Sequence, residues 1–189
     1  MTRTLAAVLI SLALPSLASA TLFTYQATLS GANELPANAS PATGTATVSY
    51  DDAAHTLAVS ASFSGLQGLV TAAHIHCCVS PPNNVGVASP TPTFPGFPAS
   101  VTSGTYAQTF DLTQSSSWNG SFVAAQGGTV GGAEAALASG LAGGMAYFNV
   151  HTSSFGGGEI RGFFVPEPST SLLVGGGIAL LARRRHRSV

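Results

Sequence analysis

Period-two alternation constrains this chain more than any other feature. Along residues 56–63 (TLAVSASF), Leu57, Val59, Ala61 and Phe63 fall on one side of an extended backbone, while Thr56, Ser60 and Ser62 fall on the other. A helix would scatter these apolar residues around its circumference, whereas a strand gathers them on one face. Residues 44–50 repeat the pattern with Ala46, Val48 and Tyr50, and residues 51–54 read as the tight hairpin connection between the two runs. Five further runs, 22–29, 72–78, 105–112, 145–151 and 159–165, complete a set of short strands separated by Gly, Pro and Ser turns. That spacing predicts an all-β domain, a Greek-key-like β-sandwich or small barrel.

Two segments depart from it. Residues 118–141 read as one or two short helices, with Phe122, Val123, Ala135, Leu137 and Leu141 turned inward and Trp118 in or capping the core. Residues 79–104 form a Pro-rich loop containing Phe94 and Phe97, long enough to suggest either a function or a strapped-down lid.

The two ends have a different composition. Arg3 precedes an apolar run at residues 5–14, followed by Pro15 and an A-x-A arrangement at Ala18 and Ala20. That order is a secretory signal peptide cut after Ala20 by signal peptidase. The run is shorter than the ~20 residues a membrane-spanning helix requires. At the other end Val165, Pro166, Glu167 and Pro168 lead into an uncharged stretch, residues 169–182, that stops at Arg183, Arg184 and Arg185. The prolines break regular structure, and the arginines favour the cytoplasmic side of a membrane. The expected organisation is a signal peptide at 1–20, a β domain at 21–165 and a sorting and membrane segment with an apolar helix at 166–189.

VPEPST, an apolar stretch and RRR in that order resemble the PEP-CTERM sorting signal of Gram-negative bacteria. The resemblance implies processing near the PEP motif by an exosortase, a membrane-embedded cysteine protease. It further implies an inner-membrane-anchored precursor and a mature protein at the cell surface or in an exopolysaccharide matrix.

Five of the six basic residues lie in the terminal segments, so the middle keeps only Arg161 against Glu34, Asp51, Asp52, Asp111, Glu134 and Glu159. Such a surface cannot neutralise phosphates, which excludes nucleic acid as a partner. The middle contains no lysine, which removes Schiff-base chemistry and P-loop phosphate binding. There is no G-x-S-x-G and no Ca²⁺-loop spacing, and the sequence assigns no catalytic residue.

The informative local runs are AAHIHCC and NVHTSSFGGGEIRGFF. On a strand, His74 and His76 share a face with Cys78, and Ile75 shares the other with Cys77. His151 ends one strand, glycines 156–158 make a turn, and Glu159 and Arg161 share a face of the next. These runs resemble the two signature segments of the CHRD domain, first described in chordin and widespread in bacterial exported proteins. Carried onto this chain, the motif residues are His74, His76, His151, Glu159, Arg161 and Gly162. Cys77 and Cys78 depart from the glycine that often follows the second histidine. The resemblance supplies a domain and little mechanism, and with the sorting signal it points to a structural or adhesive protein of the envelope or matrix, meeting exopolysaccharide or surface proteins.

An H-x-H pair on one strand presents two imidazoles to one ion, and imidazole suits copper or zinc. His151 is the candidate third ligand, with Glu159 or Cys78 as fourth. The alternative makes the histidines structural, hydrogen-bonded across strands and to the 156–158 turn, with Glu159 and Arg161 paired to them or to each other. For the adjacent cysteines in an oxidising compartment, a vicinal Cys77–Cys78 disulfide, bonds to another molecule and metal ligation through Cys78 all stand open. No C-x-x-C redox motif occurs.

Overall fold

The structure, a computed structural model, describes residues 22–167. The alternating runs become strands: β1 (Leu22–Ser30), β2 (Thr43–Asp51), β3 (Thr56–Ser64), β4 (Val70–Cys77), β5 (Gly104–Asp111), β6 (Ala146–Thr152), β7 (Ile160–Phe163) and β8 (Val165–Pro166). Between β2 and β3 the register runs from Thr43 opposite Ser64 to Asp51 opposite Thr56. Asp51 Oδ1 closes the hairpin by accepting from the amides of Ala53 at 3.0 Å and Ala54 at 2.8 Å. An aspartate satisfies the exposed N–H groups of such a turn with its own carboxylate.

The strands form one antiparallel sheet in the order β4-β6-β7-β1-β2-β3-β5, with β8 added beside β1. The sheet curls into a half-barrel. Its concave side gathers the alternating residues seen in the sequence: Tyr25, Ala27 and Leu29 of β1, Ala46 and Val48 of β2, and Leu57, Val59, Ala61 and Phe63 of β3.

The Pro-rich stretch closes the gap between the two sheet edges. Phe94 stacks on Phe148 of β6 at 5.8 Å and meets Phe110 of β5 at 5.4 Å, while Phe97 stacks on Phe63 of β3 at 5.5 Å. The expected lid is therefore a plug that fills the half-barrel. Its backbone also covers the free edge of β4: Ala88 N–H donates to Ile75 O at 2.9 Å, and Phe94 N–H to Ala73 O at 3.2 Å. Covering an edge in this way removes unpaired backbone groups that would otherwise recruit another strand.

Two helices follow β5. In α1 (Gly120–Ala125) the Asn119 side chain caps the first turn by accepting from Ser121 N–H at 3.0 Å. In α2 (Val130–Ala142) Thr129 does the same for Gly132 N–H at 3.1 Å. The buried residues of α2 are Ala133, Glu134, Leu137, Gly140 and Leu141, a 3–4 residue spacing. Ala135, expected inward, falls on the opposite side of that helix and is exposed. Trp118 is in the core, and its indole N–H donates to Leu112 O at 2.9 Å.

The expected strand at 159–165 divides in two, because Phe164 breaks from the ladder, buries its ring and donates its N–H to Ala146 O. The expected signal peptide and the C-terminal apolar helix lie outside the described residues. Among the described residues, no helix is long and apolar enough to cross a membrane.

Candidate metal centre

Strands β4 and β6 are buried on both faces. One face joins the core through Ala73, Ile75, Phe148 and Val150. The other is polar and aromatic: His74 pairs across with Asn149, His76 with Tyr147 and Ala72 with His151. β7 extends this face by placing Arg161 beside Asn149 and Phe163 beside Tyr147. Loop segments around Pro82, Asn84, Val85 and Pro92 meet its residues from above.

The three histidines converge. One ring nitrogen of each lies within 4.8 Å of those of the others. The second nitrogen of each meets a backbone carbonyl: His74 Nε2 with Pro92 O at 2.7 Å, His76 Nδ1 with Val85 O at 2.8 Å, and His151 Nδ1 with Gly156 O at 3.0 Å. A carbonyl only accepts, so each of those nitrogens carries the proton and donates it. This fixes the tautomers and leaves His74 Nδ1, His76 Nε2 and His151 Nε2 as acceptors facing one another. All three are buried, with no hydrogen-bond partner among the described residues.

Burial pushes the pKa of all three rings down, that of His76 to about 4. The carbonyl contacts offset part of this shift, and the mutual repulsion of the rings adds to it at His74 and His76. At neutral pH the cluster is thus three neutral imidazoles with converging lone pairs. Orientation of a metal-binding imidazole by a carbonyl on its far nitrogen is a general feature of metal sites. Nitrogens bound to one ion at about 2.0–2.1 Å would stand about 3.3–3.6 Å apart, so the three, all within 4.8 Å of one another, would close by at most about 1.5 Å to hold one.

Behind the cluster, Tyr147 stacks on His76 with ring centres 4.6 Å apart. The Arg161 guanidinium lies 4.9 Å from the centre of the Tyr147 ring. Arg161 is almost wholly buried and donates to Asn33 O, Asn84 Oδ1 and Pro82 O, and it lies 3.7 Å from Glu34 Oε2. It therefore pins the same loop that supplies the carbonyls of Val85 and Pro92. It pairs with neither Glu159 nor a histidine.

The other two candidate ligands stand apart from the cluster. Glu159 is fully buried, with its carboxylate enclosed by four donors. Oε1 accepts from Gln67 N–H at 2.6 Å and Ser40 Oγ–H at 2.7 Å, and Oε2 accepts from Thr152 Oγ1–H at 2.6 Å and Gly68 N–H at 3.2 Å. Burial alone would raise its pKa, but these donors hold it below the ordinary value. Glu159 thereby clasps the loops at Ser40 and at Gln67 and Gly68 to the end of β6. Cys78 is joined to Cys77 in a vicinal disulfide packed on α2, where Cys78 Sγ lies 3.3 Å from Ala136 O. The bond draws both sulfurs to one side, which breaks the alternation that would have put Cys78 with the histidines. A disulfide sulfur also lacks the thiolate charge that binds metal.

Three residues of this region carried no signal in the sequence. Tyr147 and Asn149 read as ordinary strand residues, and Glu34 lies 115 positions from Asn149, whose Nδ2–H donates to it at 2.7 Å. Burial raises the Glu34 pKa to about 7 against the opposing effects of Arg161 and the Asn149 hydrogen bond.

A curled all-β module, carrying a buried trio of neutral histidines and ending where a proline-flanked acidic motif begins, is the class these features define. The CHRD domain matches residues 25–164, and the chain belongs to that family. The PEP-CTERM protein-sorting motif matches residues 164–187. No curated protein and no solved structure matches it. This domain order is that of an exported, surface-associated protein of structural type, processed by an exosortase.

Proposed function

We propose that the mature protein is a surface or matrix module built around a copper or zinc centre held by His74, His76 and His151. The single observation carrying this reading is the convergence of three acceptor nitrogens, each buried, unpartnered and fixed in tautomer by a carbonyl behind it. Lone pairs brought together in a buried site repel, and an unsatisfied buried acceptor costs about 1–3 kcal/mol. A divalent ion converts that repulsion into coordination. Imidazole ligands suit copper and zinc better than calcium or magnesium, which take oxygen.

Around that centre the life history follows from the terminal signals. Signal peptidase removes residues 1–20, and the precursor stays anchored in the inner membrane of a Gram-negative cell by the segment at 166–189. Exosortase then passes it to the surface or to an exopolysaccharide matrix. The near-absence of positive charge and the Ser- and Thr-rich exterior suit such neutral surroundings.

Metal analysis tests the centre. The full chain, purified without a polyhistidine tag and titrated with Cu²⁺ or Zn²⁺ at neutral pH, is expected to keep one equivalent through desalting. The His74→Ala/His76→Ala variant is expected to keep none. Equal retention by the two proteins, or none by either, sinks the reading and leaves the histidines structural.

A further inference from the structure

Four buried side-chain atoms have no hydrogen-bond partner among the described residues: His74 Nδ1, His76 Nε2, His151 Nε2 and Asn149 Oδ1. The first three are the proposed ligands. The fourth belongs to the same sheet face, because Asn149 stands between Tyr147 and His151 on β6 and pairs directly with His74 on β4. Asn149 is 2% exposed.

The hydrogen bond with Glu34 uses the nitrogen end of this amide: Asn149 Nδ2–H donates to Glu34 Oε1 at 2.7 Å. The oxygen is therefore the end left over. A buried amide oxygen needs a donor, yet the neighbouring histidine nitrogens of the cluster are acceptors.

Three imidazoles fill three positions of a tetrahedral ion. The ligands are neutral, so the charge of the ion is uncancelled. Neither nearby carboxylate supplies the remaining ligand: Glu159 is enclosed by its four donors, and Glu34 is held by Asn149 beside Arg161. An ion in that state polarises a water molecule, which then has a proton to donate.

We propose that an exchangeable water or hydroxide completes the three-histidine centre and that Asn149 Oδ1 accepts its hydrogen bond. The inference rests on reading the histidines as a metal centre. It makes that centre an open, ligand-exchanging one rather than a closed structural clamp. It also assigns Asn149 a selective role: the amide oxygen favours a fourth ligand that carries a proton over a small anion that carries none.

The test uses the full chain loaded with one equivalent of Cu²⁺. Longitudinal relaxation of solvent protons reports an inner-coordination water, and azide, an anion without a proton, reports replacement of that water through its charge-transfer band. The wild type is expected to enhance relaxation and to lose the enhancement as azide binds. Asn149→Ala is expected to keep its copper yet bind azide about tenfold more tightly, the equivalent of one hydrogen bond lost by the competing water.

A copper-loaded wild type with neither relaxation enhancement nor azide response overturns the open position while leaving the metal reading intact. Failure to retain copper overturns both. Unchanged azide affinity in Asn149→Ala, or loss of copper from a folded variant, removes Asn149 from the proposed role. Asn149→Val, β-branched, suited to a strand and without an acceptor, repeats the measurement if the alanine variant does not fold.

Discussion

Replacing Glu159 with glutamine separates a clasp from a ligand. The carboxylate is fully buried and accepts four hydrogen bonds, two on each oxygen, with one backbone amide and one hydroxyl at each end. A glutamine NH₂ group at either end faces both of that end's donors. The hydroxyl can rotate to accept, but the amide of Gln67 or Gly68 cannot and is left unsatisfied. Hydrogen bonds to a charged group contribute about 1.5–3 kcal/mol each, so losing two and recovering part of one predicts a loss of about 3–5 kcal/mol. That is a large share of the ~5–15 kcal/mol typical of a folded domain.

Urea unfolding at pH 7.5 should show a lower midpoint for Glu159→Gln with an unchanged m-value. The pH dependence provides an internal check. The folded pKa of Glu159 is depressed, so its stabilisation is present above the unfolded pKa and is lost as pH falls through the folded value. The gap between wild type and variant should therefore narrow in acid, while metal stoichiometry stays the same in both. A loss below about 1 kcal/mol, or a gap that persists undiminished at pH 2, would refute the clasp. A loss of metal with unchanged stability would instead restore Glu159 as a ligand.

Three further outcomes are expected. Burial raises the Glu34 pKa to about 7, so its stabilising effect is complete below the unfolded value near 4.5 and fades as pH rises toward 7. Glu34→Gln should flatten that part of the stability profile, read as the difference from wild type because the depressed pKa values of the buried histidines work in the opposite direction. A Cβ added at Gly140 would collide with Cys77 Sγ, and it would stand 2.7 Å from Cys78 Sγ, so Gly140→Ala should lower stability by about 1–3 kcal/mol in thermal unfolding. Non-reducing intact mass should place the protein two hydrogens below the reduced chain, and the full reduced mass would reject the Cys77–Cys78 bond.

Where one face of a strand is buried, the sequence declares it. Leu57, Val59, Ala61 and Phe63 could point together only from a strand, and the β2–β3 register followed. The same alternation placed His74 and His76 on a common face, and the family motif added His151. What alternation cannot encode is a contact between distant loops. Glu159 looked like a ligand because it is acidic and near His151, yet its donors come from residues 40, 67, 68 and 152. Asn149 and Glu34 meet only because β7 stands between β6 and β1 in the sheet, with Arg161 opposite Asn149 on one side and Ser30 on the other. Ala135 was misplaced for a local reason: the phase of α2 is set by Gly140 and Leu141 packing on the disulfide and core, and a composition rich in Ala and Gly leaves that phase unmarked.

Strand β8 carries a consequence for maturation. Val165 and Pro166 lie against Gln26 and Tyr25, and Glu167 N–H donates to Thr24 O. The opening residues of the sorting motif are thus stitched to the first strand of the fold. Once the sheet has formed, a protease working at this point must either act beyond the paired residues 165–167 or peel β8 from β1. Folding would then act as a checkpoint on release, because a finished domain and a half-finished one offer the enzyme different lengths of free peptide.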